Sequence, residues 1–109
     1  MIKINGTEYG LFWSVWAHCR FDDWWVKNRT ASYATTIVKK ALFANEAFRM
    51  TEAGKSSPEL TEGTLNRLPN SEYAAIMTAV EEQVAKDSGI TIKKKEAERK
   101  NADGSGESD

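Results

Sequence analysis

The chain has 109 residues and a formal net charge of -1, from 15 basic and 16 acidic side chains. That length holds one domain, since two separate cores would each be too small to stand alone. The charge balance lacks the basic excess of most autonomous nucleic-acid binders, a single cysteine excludes an internal disulfide framework, and a single histidine argues against a zinc site built from protein ligands.

Met1 to about Trp13 reads as a β-hairpin. Asn5-Gly6 is the preferred pair for a two-residue type I′ turn, because both positions need positive φ. Ile2 and Ile4 alternate before the turn, and Tyr9, Leu11 and Trp13 alternate after it. Two strands alone are marginal, so one face of the hairpin is expected to pack on helices. Asn5 to Glu8 also interrupts any apolar run near Met1, and no stretch approaches the roughly 18 apolar residues of a membrane span, so a cytoplasmic location is expected. The glycosylation-type triplets Asn5-Gly6-Thr7 and Asn28-Arg29-Thr30 are then chance matches.

Ser14 is the expected N-cap of a helix running to about Lys27, with Phe12 and Trp16, Phe21 and Trp24, and Phe21 and Trp25 at helical spacing. Asp22-Asp23 either lies within that helix or breaks it and caps a second one; the sequence leaves both open. Thr30 is the expected cap of the longest helix, from Ala31 to Ala53. Tyr33, Ile37, Ala41, Ala44 and Phe48 form its apolar stripe, and Gly54 is the expected C′ residue. Residues 55–69 read as a connector with a helical turn around Leu60 to Leu68. Asn70 is then the expected cap of a further helix with the stripe Tyr73, Ile76, Met77, Val80 and Val84, ending at Gly89. The expected fold is mainly α with an N-terminal β-hairpin, a small α+β domain of three or four helices over 1–89. The polar tail over 90–109 is expected to be disordered, having no apolar residue larger than alanine beyond Ile92.

Few residue groups suggest chemistry. His18-Cys19 are of nucleophile-and-base type, but adjacent helical residues point about 100° apart, so the expectation is a peripheral His18 and a small buried Cys19. The carboxylates of Asp22-Asp23 diverge for the same reason. Lys93-Lys94-Lys95 with Arg99-Lys100 makes a basic patch, but five acids share the segment 93–109 and cancel its five bases. The aromatics are the odd feature. All four tryptophans lie between Trp13 and Trp25, and only Tyr73 of the other aromatics falls after Phe48. Such a cluster is either core or an exposed hot spot for a protein partner.

The opening Ile4-Asn5-Gly6-Thr7-Glu8-Tyr9-Gly10-Leu11-Phe12-Trp13-Ser14-Val15-Trp16-Ala17 resembles that of tail assembly chaperones of long-tailed bacteriophages. Those proteins begin with a short strand, an Asn-Gly turn, an aromatic strand and a helix entered through a serine. They are largely helical thereafter, with a polar C-terminus. After Ala17 the chain departs from the family, with His18-Cys19-Arg20-Phe21 where a more acidic, leucine-rich helix is usual. The resemblance implies a non-enzymatic chaperone, without cofactor or metal. It would bind the tail tape-measure protein and help recruit the major tail tube protein, acting in the host cytoplasm and absent from the mature virion. It also implies a longer form made by ribosomal frameshifting, for which an adenine run at the Lys93–Lys95 codons would serve. A tape-measure protein is a long helix with exposed apolar stripes, and aromatic or Met side chains cover such stripes reversibly. Trp16, Trp24, Trp25 and Met50 are the expected partner-binding residues, with homo-oligomer formation also open. The alternative is a small regulatory or adaptor module, with nucleic acid as one candidate partner, that uses Lys39-Lys40 and the lysine tail. Charge balance argues against nucleic acid.

Overall fold

Two residues set the first turn of the fold. Asn5 and Gly6 take φ of 51° and 84°, the paired positive values of a type I′ hairpin. They join strand β1 (Ile2–Ile4) to strand β2 (Thr7–Tyr9), antiparallel, with Ile2 opposite Tyr9 and Ile4 opposite Thr7. Ile2 and Ile4 face inward while Lys3 faces water, so the hairpin has one apolar face, as the alternation required. The computed structural model describes residues 1–89; the expected tail over 90–109, with its lysine run, lies outside the described residues.

Strand pairing stops at Tyr9, earlier than the alternation to Trp13 suggests. Beyond it the backbone finds other partners. The Phe12 amide donates to the Ala44 carbonyl at 3.0 Å, and the Trp13 amide donates to the Asp87 carboxylate at 2.8 Å. Leu11 and Trp13 are buried by these helices rather than by the sheet.

Helix α1 (Val15–Lys27) starts where expected: Ser14 is extended, and its hydroxyl accepts the Ala17 amide at 3.2 Å. It runs unbroken through Asp22 and Asp23, whose side chains are exposed and leave the backbone ladder intact. Asn28 ends it, its side-chain amide donating to the Trp24 carbonyl at 2.8 Å.

Helix α2 (Tyr33–Arg49) spans its apolar stripe but is shorter at both ends than the expected Ala31 to Ala53. Ser32, not Thr30, is the cap, because the Ala31 amide closes a turn onto the Asn28 carbonyl at 2.9 Å and leaves Thr30 inside that turn. At the far end Thr51 takes the Phe48 carbonyl with both its amide, at 3.0 Å, and its hydroxyl, at 2.7 Å. That turns the chain before Ala53. Gly54 is not a left-handed C′ residue. It is buried with the Phe48 carbonyl where a Cβ would sit.

A single-turn helix α3 (Glu62–Asn66) falls inside the expected connector, capped by Thr61, and buries Leu65. Helix α4 (Asn70–Asp87) begins one residue earlier than the asparagine cap predicts. Pro69 occupies the cap position without a side-chain bond, and its carbonyl accepts the Glu72 and Tyr73 amides at 3.1 and 3.0 Å. Ile76 and Val80 are buried, flanked by half-buried Tyr73, Met77 and Val84. Gly89, at φ 79°, follows the Ser88 C-cap as the chain leaves the helix.

Helix α2 lies at the centre, packed on α1, α3 and α4, while β1 rests on α4. Its inward face is Ile37, Val38, Ala41, Ala44 and Ala47, and the small alanines let neighbouring backbones approach closely. One polar side chain is sealed in the same face. Asn45, 1 % exposed, donates to the Gly10 carbonyl at 2.9 Å and accepts the Leu60 amide at 2.8 Å. It thereby ties the hairpin exit and the connector to α2.

Candidate partner-binding surface

Helix α1 divides its aromatics between two faces, and the division follows from 3.6 residues per turn. Ala17 and Phe21 point inward, as does Trp13 just before the Ser14 cap. Trp13 is 6 % exposed and meets Phe21 edge-on at 6.0 Å between centroids. Phe21 in turn stacks on Trp25 at 6.5 Å with the planes 8° apart, and touches Trp24 at 5.7 Å. Such pairs add about 0.5–1.5 kcal/mol each beyond simple burial. Trp13 is therefore core, and Trp25 closes the end of the aromatic ladder, half-buried.

Trp16, Arg20, Asp23, Trp24 and Lys27 repeat at three and four along the other face. There α1 and α2 leave an open groove of about 650 Å³, lined by Arg20, Asp23, Trp24, Val26, Lys27, Asn28 and Phe43. The size lies within the roughly 300–1,000 Å³ of ordinary ligand sites. Val26 on its rim is 62 % exposed and Trp24 is half-buried, while Trp16 and Phe43 are half-buried with part of each ring against the core.

Cations are held against these rings. The Arg20 guanidinium carbon lies 5.7 Å from the Trp16 ring centre and 6.0 Å from that of Phe43. Lys39 Nζ sits 5.9 Å from the Trp24 ring centre, and Lys40 Nζ 5.2 Å from that of Phe21. The negative π-face attracts each cation from one side and leaves its other N–H donors free to meet a partner. No family model, curated protein or solved structure matches the chain. What the surface can do is therefore read from its own chemistry.

The structure gathers only part of the expected partner-binding set. Trp24 lines the groove, and Trp16 borders it through Arg20. Trp25 belongs to the aromatic ladder behind them. Met50, 60 % exposed, is the C-cap of α2 and is not among the residues lining the groove. The reading from sequence missed Arg20, Val26, Lys27 and Phe43. The signal was available for the first and third: Arg20 is four residues from both Trp16 and Trp24, and Lys27 is four from Asp23.

The remaining polar groups are accounted for locally. His18 Nε2 lies 3.2 Å from Asp22 Oδ2, an exposed pair one turn apart, with the His18 ring edge-on to Trp13. Cys19 is exposed and free, a correction to the buried cysteine expected from sequence. Among the described residues, no three His, Cys, Asp or Glu stand close enough to share a metal ion, and no helix is long and apolar enough to cross a membrane. Two tyrosines join α2 to α4. The Tyr33 hydroxyl donates to the Glu81 carboxylate, whose hydrogen bond and charge push the phenol pKa up. The Tyr73 hydroxyl donates to the Ala34 carbonyl at 2.8 Å, and burial raises its pKa.

Proposed function

We propose that the chain is a non-enzymatic tail assembly chaperone of a long-tailed bacteriophage. It binds the tape-measure protein and helps recruit tail tube subunits in the host cytoplasm. One observation carries the binding role: the aromatic and cationic groove between α1 and α2, with Trp24 in its wall and exposed Val26 on its rim. An isolated helix with an apolar stripe has a side chain to place in such a groove, and burying one Leu or Phe there stabilises a complex by about 1.5–3 kcal/mol. The resemblance of Ile4 to Ala17 to the opening of these chaperones supports the identity of the partner. Binding and release by this route need no covalent step.

The test is co-expression with the tape-measure protein of the same genome, followed by affinity capture. The wild-type chain is expected to bring it down, and Trp24→Ala to lose it while keeping its helical circular dichroism. Absence of capture by the folded wild-type chain would overturn the reading. The coding DNA gives a second check: a slippery adenine run at the Lys93–Lys95 codons, with an overlapping second frame, supports a longer frameshifted form.

A regulatory module that binds nucleic acid is the second reading, favoured by Arg20, Lys27, Lys39 and Lys40 around one groove. A gel shift at about 0.1 M salt decides it, because phosphate contacts persist there for a true binder and no shift at micromolar protein removes the idea.

A further inference from the structure

The charge around the groove is opposite in sign to that of the chain. Arg20 and Lys27 line it, Lys39 stands over the Trp24 ring in its wall, and Lys40 stands over the adjoining Phe21. Asp23 is the acid among the lining residues. A chain of net charge -1 thus concentrates cations beside its half-buried aromatic surface. We propose that the groove selects an amphipathic helix whose apolar anchor is flanked by acidic side chains. This rests on the reading of the groove as a docking surface and adds the chemistry of its partner.

The chemistry of the groove favours that occupant over a second copy or a polyanion. The anchor site is apolar at its base, from Trp24 and Phe43, and cationic at its edges, so an apolar side chain between carboxylates matches both. A second copy of this chain, docked face to face on the same groove, would bring Arg20, Lys27, Lys39 and Lys40 of both copies into one interface, because a two-fold contact pairs a patch with itself. A polyanion is gathered from long range by net positive charge, which this chain lacks. Carboxylates on a docked helix are sensed only within about 10 Å, where the local cations dominate.

The cations are also pre-positioned. A lysine or arginine free in solvent loses side-chain entropy when it pairs, whereas Arg20, held against two rings, has already surrendered part of it. Exposed ion pairs change affinity by roughly two- to fivefold each, so two of them give about tenfold.

The experiment uses the full chain and three synthetic helical peptides with identical Leu and Phe anchors, flanked by Glu, Gln or Lys. Binding is read by tryptophan fluorescence at about 0.05 and 0.5 M salt. The Glu peptide is expected to bind about tenfold tighter than the Gln peptide at low salt, with the Lys peptide weakest, and the advantage is expected to shrink at high salt. Arg20→Gln with Lys39→Gln, checked by circular dichroism for an unchanged fold, is expected to erase the difference. Equal affinity for all three peptides, failure of all three, or tighter binding of a single-stranded oligonucleotide would overturn the proposal. So would self-association that excludes peptide. The two readings fail separately. Selective peptide binding without tape-measure capture leaves the groove chemistry standing and removes the chaperone. Capture without acid preference does the reverse.

Discussion

Replacing Asn45 by leucine should harm this fold more than replacing it by alanine, the opposite of the usual order at an apolar core position. Asn45 is 1 % exposed and serves two backbone groups with good geometry, the Gly10 carbonyl at 2.9 Å and the Leu60 amide at 2.8 Å. Its contact with the Pro58 carbonyl at 3.4 Å is too long to count for much. Leucine fills the space and leaves both backbone groups buried without partners. At about 1–3 kcal/mol per orphaned group, the loss is about 4 kcal/mol, a large share of the roughly 5–15 kcal/mol that holds a domain together. Alanine opens the site instead. A neighbouring cavity of about 250 Å³, lined by Leu42, Asn45, Glu46 and Leu60 among others, gives water a route to bridge the two groups. The expected loss is then about 2 kcal/mol. Urea unfolding followed by tryptophan fluorescence measures both. With a slope of about 1 kcal/mol per molar, the midpoints should fall by roughly 4 M for leucine and 2 M for alanine. If Asn45→Leu matches the wild type to within about 0.5 kcal/mol, the hydrogen bonds do not hold the connector, and the reasoning fails.

Other consequences are as specific. At Gly10 a Cβ would run into the Phe48 ring, so Gly10→Ala should cost about 1–3 kcal/mol and Phe48→Leu in the same chain should recover part of it; at Gly54 the obstacle is the Phe48 carbonyl, so no side-chain swap should rescue Gly54→Ala in thermal melts. Asp87 accepts the Trp13 amide at 2.8 Å and the Gln83 side-chain amide at 3.0 Å, so Asp87→Ala should lose about 1–2 kcal/mol in urea unfolding, with Asp87→Asn between it and wild type. Tyr33 has its pKa raised above 10.0 by its bond to Glu81, so the folded state keeps the proton longer than the unfolded one. Its contribution is complete below pH 10.0 and lost as pH rises through the folded value. Glu81→Gln should bring the phenolate absorbance titration of Tyr33 downward, and an unchanged titration would contradict the assignment.

Some signals that depend on one or two residues carried over from sequence to structure, whereas the caps expected at Thr30 and Asn70 and the C′ glycine expected at Gly54 did not. Asn5-Gly6 specifies its turn because both dihedrals must be positive, Ser14 caps through its own hydroxyl, and Gly89 leaves its helix with the φ that glycine permits. The division of roles along α1 was open in sequence, because a Trp that stacks inward and a Trp that walls a groove look alike until the facing helix is placed. Trp25 and Trp24 are adjacent and differ in this way. The bounds of α2 depended on competition from outside its stripe. Thr51 captures the Phe48 carbonyl and ends the helix, which no apolar periodicity records. Asn45 gave no signal either, since an asparagine next to Glu46 reads as a solvent-facing position until its three neighbours in space are known. Phe43 stands outside the stripe expected for α2, and its place in the groove required α1 beside it.

The claim that matters most is that partners dock between α1 and α2. The four indole N–H groups report on it directly in a two-dimensional amide spectrum of the full chain titrated with a tape-measure fragment. The account predicts that the Trp24 and Trp16 indole signals move most, that the Trp25 signal moves less, and that the buried Trp13 signal stays in place. Shifts concentrated on the hairpin or α4, with Trp16 and Trp24 unmoved, would contradict it.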